Sequence, residues 1–290
     1  MVGIAIWSAS GVIISFIINH YHLAPLTLAL WRNFFVVVAL LIGLGLYRPA
    51  WLTLAAHRMP FFIGYGLVLA LFNTIWTISL RENGAAVATV LGYSSAGFTA
   101  VIAYILFHEK IGPYKAVAVL LSIGGCVLVA NALDPATWAL QPIGVITGLL
   151  SGVIFSVYTL YGKQGAHLGV NVWTSMFASF LYGTVFILLF NAIPGFPGSD
   201  GILKALLPAI PADGWWMLVG LAFGPTLLGF GLYNLSMDHL PATIANLLAT
   251  TEPVMTAVQA YIFLGERLTP IQLIGSVIIL LAVVLIQLGE

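Results

Sequence analysis

The sequence predicts an all-α integral membrane protein of ten transmembrane helices arranged as two inverted five-helix repeats. Three observations carry this. Apolar stretches long enough to cross a bilayer fill almost the whole chain, 61% of residues are hydrophobic against 6% charged, and the second five stretches repeat the first five. So few charges would leave a water-soluble fold without a charged surface. A spanning helix needs about 20 mostly apolar residues and satisfies its own backbone where lipid offers no partner. The runs are too long and too unalternating for a barrel.

The first half supplies spans from Val2 to Asn19, Leu26 to Leu46, Pro60 to Ser79, Ala85 to Phe107 and Pro113 to Asn131. The first lacks a basic leader and a small-residue cleavage site, so it reads as a retained helix. In the fourth, Gly92, Ser94, Ser95, Ala96 and Gly97 allow close approach of a neighbour. Residues 132–141 form a short polar linker with Asp134-Pro135 as a turn signal. The chain thus divides into a first repeat, 1–131, and a second, 142–290.

In the second half the spans run Pro142 to Gly162, Val170 to Asn191, Trp215 to Ser236, Pro241 to Leu264 and Pro270 to Leu288. Between the seventh and eighth, Ile193 to Gly214 is rich in Pro and Gly. Its Ile202 to Leu207 segment reads equally as a short interfacial helix or a plain loop. Pro225 predicts a bend in the eighth span, and Pro253 either a packing kink or carbonyls exposed to a cavity in the ninth.

Sliding Trp76–Val129 by 157 positions onto Tyr233–Ile286 needs no gap and gives fourteen identities in 54 positions. Thr99-Ala-Val-Ile-Ala-Tyr-Ile105 falls on Thr256-Ala-Val-Gln-Ala-Tyr-Ile262, with Glu109 on Glu266 and Pro113 on Pro270. Two five-helix units in series enter the membrane from opposite sides, the inverted topology of secondary transporters, which places a substrate site between the halves. With the amino terminus inside, five basic residues lie in inner loops and three in outer ones, favouring two cytoplasmic termini. The expected location is a cell (inner or plasma) membrane.

Thr251-Glu-Pro-Val254, then Leu264-Gly-Glu-Arg-Leu-Thr-Pro270 and an apolar tenth span, resemble the EamA-type branch of the drug/metabolite transporter superfamily. A weaker copy at Phe107-His-Glu-Lys-Ile-Gly-Pro113, Arg32 near the start of the second span and the ten-span count extend the resemblance over the whole chain. The resemblance implies a five-plus-five inverted-repeat carrier of small metabolites working by alternating access, often an exporter of amino acids or related compounds. Relatives include nucleotide-sugar and sugar-phosphate carriers. The Glu-Pro pair is Ser95-Ala96 in the first half, so the halves are not equivalent.

Glu252 is the sharpest single residue. It lies about eleven residues, roughly 16 Å, into the ninth span, where a charge costs about 2.5–3.5 kcal/mol unless it faces a cavity, finds a partner or is protonated. Either it contacts a substrate amine or carries a coupled proton, or it belongs to a buried ion pair or packing feature beside Pro253. Thr256 and Gln259 share its stripe, predicted to face inward. Arg32, roughly 9 Å deep in the second span, either pairs with Glu252 or snorkels to the outer interface.

Repeat matching sets Trp76 and Ser79 against Tyr233 and Ser236, and Thr89 and Tyr93 against Asn246 and Thr250. Asn73 shares the Trp76 and Ser79 stripe. The repeat axis would bring these stripes to one cavity, with Tyr158, Tyr161 and Ser151 of the sixth span and Ser8 and Ser15 of the first as weaker members. Each aromatic is also ordinary packing when its polar tip is satisfied. Stacking faces with hydroxyls and amides suit a neutral or zwitterionic amphipathic solute; a phosphate would call for several cations. Amino acids are thus preferred over sugars or nucleotide sugars, with coupled protons as a further partner.

The net charge is zero with no run of like charges, so nothing points to nucleic acid. Cys126 has no second cysteine, which excludes an internal disulfide and a cysteine metal site. No cofactor is expected. An enzyme would need a second acid, base or nucleophile beside Glu252, and a channel a ring of charges or a filter sequence. Neither pattern is present, and no phosphate-cradling loop points to direct ATP drive.

Overall fold

The computed structural model describes residues 2–107, 112–134, 142–229, 232 and 251–288, and among these every regular element is helical. Helix α1 is Val2–Tyr21, α2 Pro25–Tyr47, α3 Met59–Asn83, α4 Ala85–Tyr93, α5 Ser95–Phe107 and α6 Pro113–Val129. The second half gives α7 Pro142–His167, α8 Val172–Ala192, the short α9 Ile202–Leu206, α10 Ala212–Leu221 with a wider-wound continuation Ala222–Gly229, α11 Glu252–Leu264 and α12 Pro270–Leu288. Six described helical stretches are long and apolar enough to cross a membrane: Val2–Tyr21, Pro25–Tyr47, Ala56–Asn83, Ala85–Ile102, Pro142–His167 and Val172–Ala192. Shorter apolar helices occupy Ala116–Val129 and Pro270–Leu285.

The ends are set by local chemistry. Pro25, Pro113 and Pro270 sit in first turns, where a missing N–H costs nothing. Asn171 caps α8 by accepting the Trp173 amide at 2.9 Å. Thr269 and Gln272 form a reciprocal capping pair before α12: the Thr269 amide donates to Gln272 Oε1 at 2.9 Å, and the Gln272 amide to Thr269 Oγ1 at 3.4 Å. The fifth span ends at Val129, two residues short of expectation, because Asn131 turns left-handed at φ 51°.

Two spans differ from the sequence reading in kind. The expected fourth helix is broken by a turn at Ser94, whose hydroxyl donates to Leu91 O at 2.5 Å within a Gly- and Ser-rich run. The eighth, where Pro225 predicts a bend, takes the proline into a wider-wound segment, and Thr226 Oγ1 donates to Leu221 O, five residues back, at 3.0 Å. The Ile202 segment is a short helix. One face docks on the bundle, since Ala205 is fully buried and its carbonyl accepts the Trp31 indole N–H at 2.8 Å, while Leu203 and Leu207 are exposed.

Helix α3 packs on α7 and α8, α1 on the 222–229 segment and α11, α4 on α11 and α7, and α5 on α7. Helices α6 and α12 run antiparallel in close contact. A Cβ on Gly275 would lie 2.8 Å from Gly125 O, and one on Gly125 2.9 Å from Gly275 O, so both backbones need glycine to touch. The expected small-residue approach of the fourth span is also made: Ser156 Oγ donates to Ser95 O at 2.9 Å, and Gly152 lies against Ser94. Lipid supplies no hydrophobic drive between helices, so such contacts hold the bundle by van der Waals packing and hydrogen bonds.

Glu266 ties the ends of two helices. Gly265, left-handed at φ 70°, closes α11, and the next carboxylate accepts the Ala85 amide at 2.8 Å and the Ala86 amide at 3.0 Å. It thereby caps the amino terminus of α4, just after Gly84 at φ 81°.

Two stability outcomes follow. Gly275→Leu lowers thermal stability in detergent by about 1–3 kcal/mol through overpacking, whereas Gly124→Ala, with nothing within 4 Å of its Cβ, does not lower it. Glu266→Ala removes the acceptor of two helix-end amides and costs about 1–2 kcal/mol by the same assay; an unchanged melting point would show that water replaces the cap.

Candidate functional site

Arg32 and Asn33 are neighbours on α2 that both reach Asn73 on α3. Arg32 Nη2 donates to Asn73 Oδ1 at 2.6 Å, and Asn73 Nδ2 donates to Asn33 Oδ1 at 3.0 Å. The network fixes the Asn73 amide, because only its oxygen can face the guanidinium. Thr77 Oγ1 donates to Asn73 O at 2.6 Å and stiffens that turn of α3. All three hub residues are buried, Arg32 at 4% exposure. The guanidinium carbon stands 5.8 Å from the Trp76 ring centroid, within cation–π reach. Arg32 Nε and Asn33 Nδ2 have no partner among the described residues.

Neither sequence expectation for Arg32 describes this arrangement. It does not snorkel, being buried, and it does not pair with Glu252. Asn73 presents an amide oxygen to α2 one hydrogen bond away, while the Glu252 carboxylate is taken elsewhere. Among the described residues the sole ion pair is Arg81–Glu82.

Glu252 opens helix α11, with Thr251 as cap and Pro253 in the first turn. Pro253 therefore does not kink a described helix; it stands where a missing donor is harmless. The side chain is 8% exposed and its Oε2 accepts the Tyr93 phenol at 2.6 Å, a charge-assisted length. The first-turn position sets the acid against the positive end of the helix dipole. Tyr93 is the last residue of α4 before the Ser94 turn, so the break in α4 sets the reach of this phenol.

The rest of the predicted stripe does something different. Thr256 Oγ1 donates to Ser8 O at 3.1 Å and Gln259 Nε2 to Ser8 Oγ at 2.8 Å, so these residues bind α11 to α1. Ser79 Oγ accepts from Asn83 at 2.9 Å, and Ser151 Oγ donates to its own helix at Gly148 O. Thr89 is buried opposite Gly11, its hydroxyl without a partner. Tyr233, Asn246 and Thr250 lie outside the described residues.

Sequence reasoning missed a continuous aromatic row. Trp76 stacks on Phe72 at 5.9 Å between centroids, Phe72 meets Phe155 at 4.8 Å, and Phe155 stacks on Tyr158 at 6.0 Å. Tyr158 meets Tyr65 at 4.8 Å, and Tyr65 stacks on Tyr161 at 5.7 Å. Trp76, Phe72 and Tyr65 come from α3 and Phe155, Tyr158 and Tyr161 from α7, whose faces at spacings of three, four and seven meet here. The row's signal in the sequence is Phe72 four residues before Trp76, a residue with no polar atom to mark it. Asn33 is signalled in the sequence by its adjacency to Arg32 within an apolar run. At the far end of the row Tyr65, Tyr158, Gly162, Ser175 and Met176 line a cleft between α3, α7 and α8.

The geometry thus offers a buried cation short of acceptors, a buried acid held by one phenol, and stacking faces leading from the cation. Comparison with known proteins agrees in class. The model of the EamA-like transporter family matches residues 1–131 and 142–288. The probable amino-acid metabolite efflux pump of Salmonella typhimurium is 24% identical over 96% of this chain and 89% of its own length. The threonine/homoserine exporter RhtA of Escherichia coli K12 is 27% identical over 81% of this chain and 73% of its own. An uncharacterized transporter of Synechocystis is 24% identical over 98% of this chain and 84% of its own. A solved crystal structure with 18% identity superposes with a TM-score of 0.62 over 99% of this chain and 95% of its own, a likeness of fold.

The hub makes a stability prediction. Asn73→Leu strips Arg32 of its one protein acceptor and lowers thermal stability by about 2–3 kcal/mol, while Asn73→Asp, which keeps an acceptor, retains most of it. Equal melting points for the two variants would show that Arg32 does not depend on Asn73.

Proposed function

The chain belongs to the EamA-like transporter family, and from that premise we propose that it exports small amphipathic metabolites, amino acids first among them, across the cell membrane. The work is alternating access between two inverted five-helix halves, 1–131 and 142–290, joined by 132–141 and carrying both termini in the cytoplasm. The observation that carries the reading is Glu252: a buried acid with a single phenol partner and no cation among the described residues. Such a group receives a substrate ammonium or a coupled proton, either of which offsets the cost of its charge.

Packing across the halves supports the inverted arrangement. The contact of the third span with the sixth, α3 on α7, has its exchange-symmetric mate in the eighth with the first, the 222–229 segment on α1. The fourth against the sixth, α4 and α5 on α7, is mirrored by the ninth against the first, α11 on α1. The fifth and tenth, α6 and α12, pair antiparallel with each other, as a twofold axis in the membrane plane requires.

The two halves also meet at one end of the bundle, where Tyr21 donates to Asp213 Oδ2 at 2.6 Å and Glu266 caps α4. With cytoplasmic termini this is the outer end, and release to the outside breaks both contacts. The names of the relatives favour amino acids over sugars or nucleotide sugars, and the single buried cation among the described residues argues against a phosphate-bearing solute.

Counterflow in proteoliposomes with labelled neutral, aromatic and basic amino acids tests the reading. Wild type accumulates at least one of them, and Glu252→Gln, folded by size-exclusion profile, loses about tenfold or more, the worth of one charge-assisted contact. Full activity of the variant would reduce Glu252 to a packing role, and no accumulation of any solute by wild type would remove amino acids as the substrate class.

A further inference from the structure

The Arg32 hub is unbalanced in one direction. A guanidinium carries five N–H donors and no acceptor, and here one bond is made, from Nη2 to Asn73. Arg32 Nε and Asn33 Nδ2 are both buried donors without partners, and Arg32 has no carboxylate partner among the described residues. What the hub lacks is an acceptor, with one negative charge. Asn73 cannot supply more, since its oxygen faces Arg32 and its nitrogen is committed to Asn33.

We propose that Arg32 receives the carboxylate of the transported solute, with Asn33 and Asn73 as positioning residues, so that the substrates are monocarboxylates whose side chain lies along the Trp76–Phe72–Phe155 row. This deepens the exporter reading above and rests on it. A planar fork of donors matches a carboxylate better than it matches a hydroxyl or an amine, which would leave the charge uncompensated. A single cation also matches a monoanion better than a phosphate dianion. Trp76 stands half-buried beside the guanidinium, and its ring continues directly into the stacked aromatics. The carboxylate end and the side-chain end of an amphipathic acid therefore find complementary surfaces in sequence.

The test compares matched pairs on purified protein in lipid nanodiscs, reading affinity from ligand-induced thermal shift: L-threonine against 1-amino-2-propanol, L-leucine against isoamylamine, and L-phenylalanine against phenethylamine. Each amine lacks only the carboxylate. Wild type binds at least one acid about tenfold or more tighter than its amine. Arg32→Gln brings that ratio to about one, and Arg32→Lys, which keeps the charge but not the fork, leaves an intermediate ratio. The wild-type ratio stands without any variant if Arg32→Gln does not fold. Equal binding of acid and amine by wild type overturns the assignment, as does an undiminished ratio in folded Arg32→Gln; in both cases the exporter reading survives. If neither acids nor amines bind, the amino-acid reading and the Arg32 assignment fall together.

Discussion

Hydrocarbon offers no hydrogen-bond partner, and that single constraint organises the chain from its backbone to its buried charges. Helices answer it for the backbone. Hydroxyls answer it by turning back onto their own helix: Ser8 to Ala5 O, Thr147 to Ile143 O, Ser179 to Met176 O, Thr184 to Phe180 O and Ser276 to Gln272 O. These hydroxyls are satisfied locally, whereas those of Ser15, Thr74, Thr89 and Ser122 are buried with no partner among the described residues. The unsatisfied donors of Arg32 and Asn33 differ from these in belonging to a hub that carries a charge, where their own helix cannot serve them and the neighbouring Asn73 has one oxygen to give.

The same constraint explains why the bundle is built from contacts that break regularity. Gly125 and Gly275 let α6 and α12 meet backbone to backbone, and the turn at Ser94 splits a span so that Tyr93 meets Glu252 while Ser95 O meets Ser156. A continuous fourth helix would not end at Tyr93. The Gly and Ser run that a sequence reader takes for a smooth packing surface thus also shapes the site. Glu266 works in parallel: its residue type is conspicuous in the sequence, and its partners, two backbone amides 180 and 181 positions away, are not.

Polar residues that shared a stripe on paper separate in space by role. Thr256 and Gln259 lie one and two turns beyond Glu252, yet they tie α11 to Ser8 while Glu252 turns to Tyr93. Helical periodicity gives the face a residue occupies; it does not give the element that face meets. The aromatic row shows the converse, since Phe72 and Phe155 bring no polar atom to notice and still complete the stack between Trp76 and Tyr158.

By itself the sequence determined the helical class, most helix ends and the family, because hydropathy, proline and cap residues act within one or two turns of chain. It also marked Glu252 and Arg32 as costly, since a charge within an apolar run is visible without coordinates. The tertiary structure alone decided their partners, Tyr93 in one case and Asn73 in the other. A buried group is satisfied by whichever acceptor or donor another helix carries to its depth, and that depends on helix register, on the break at Ser94 and on interhelical distance. No local stretch of sequence encodes those quantities.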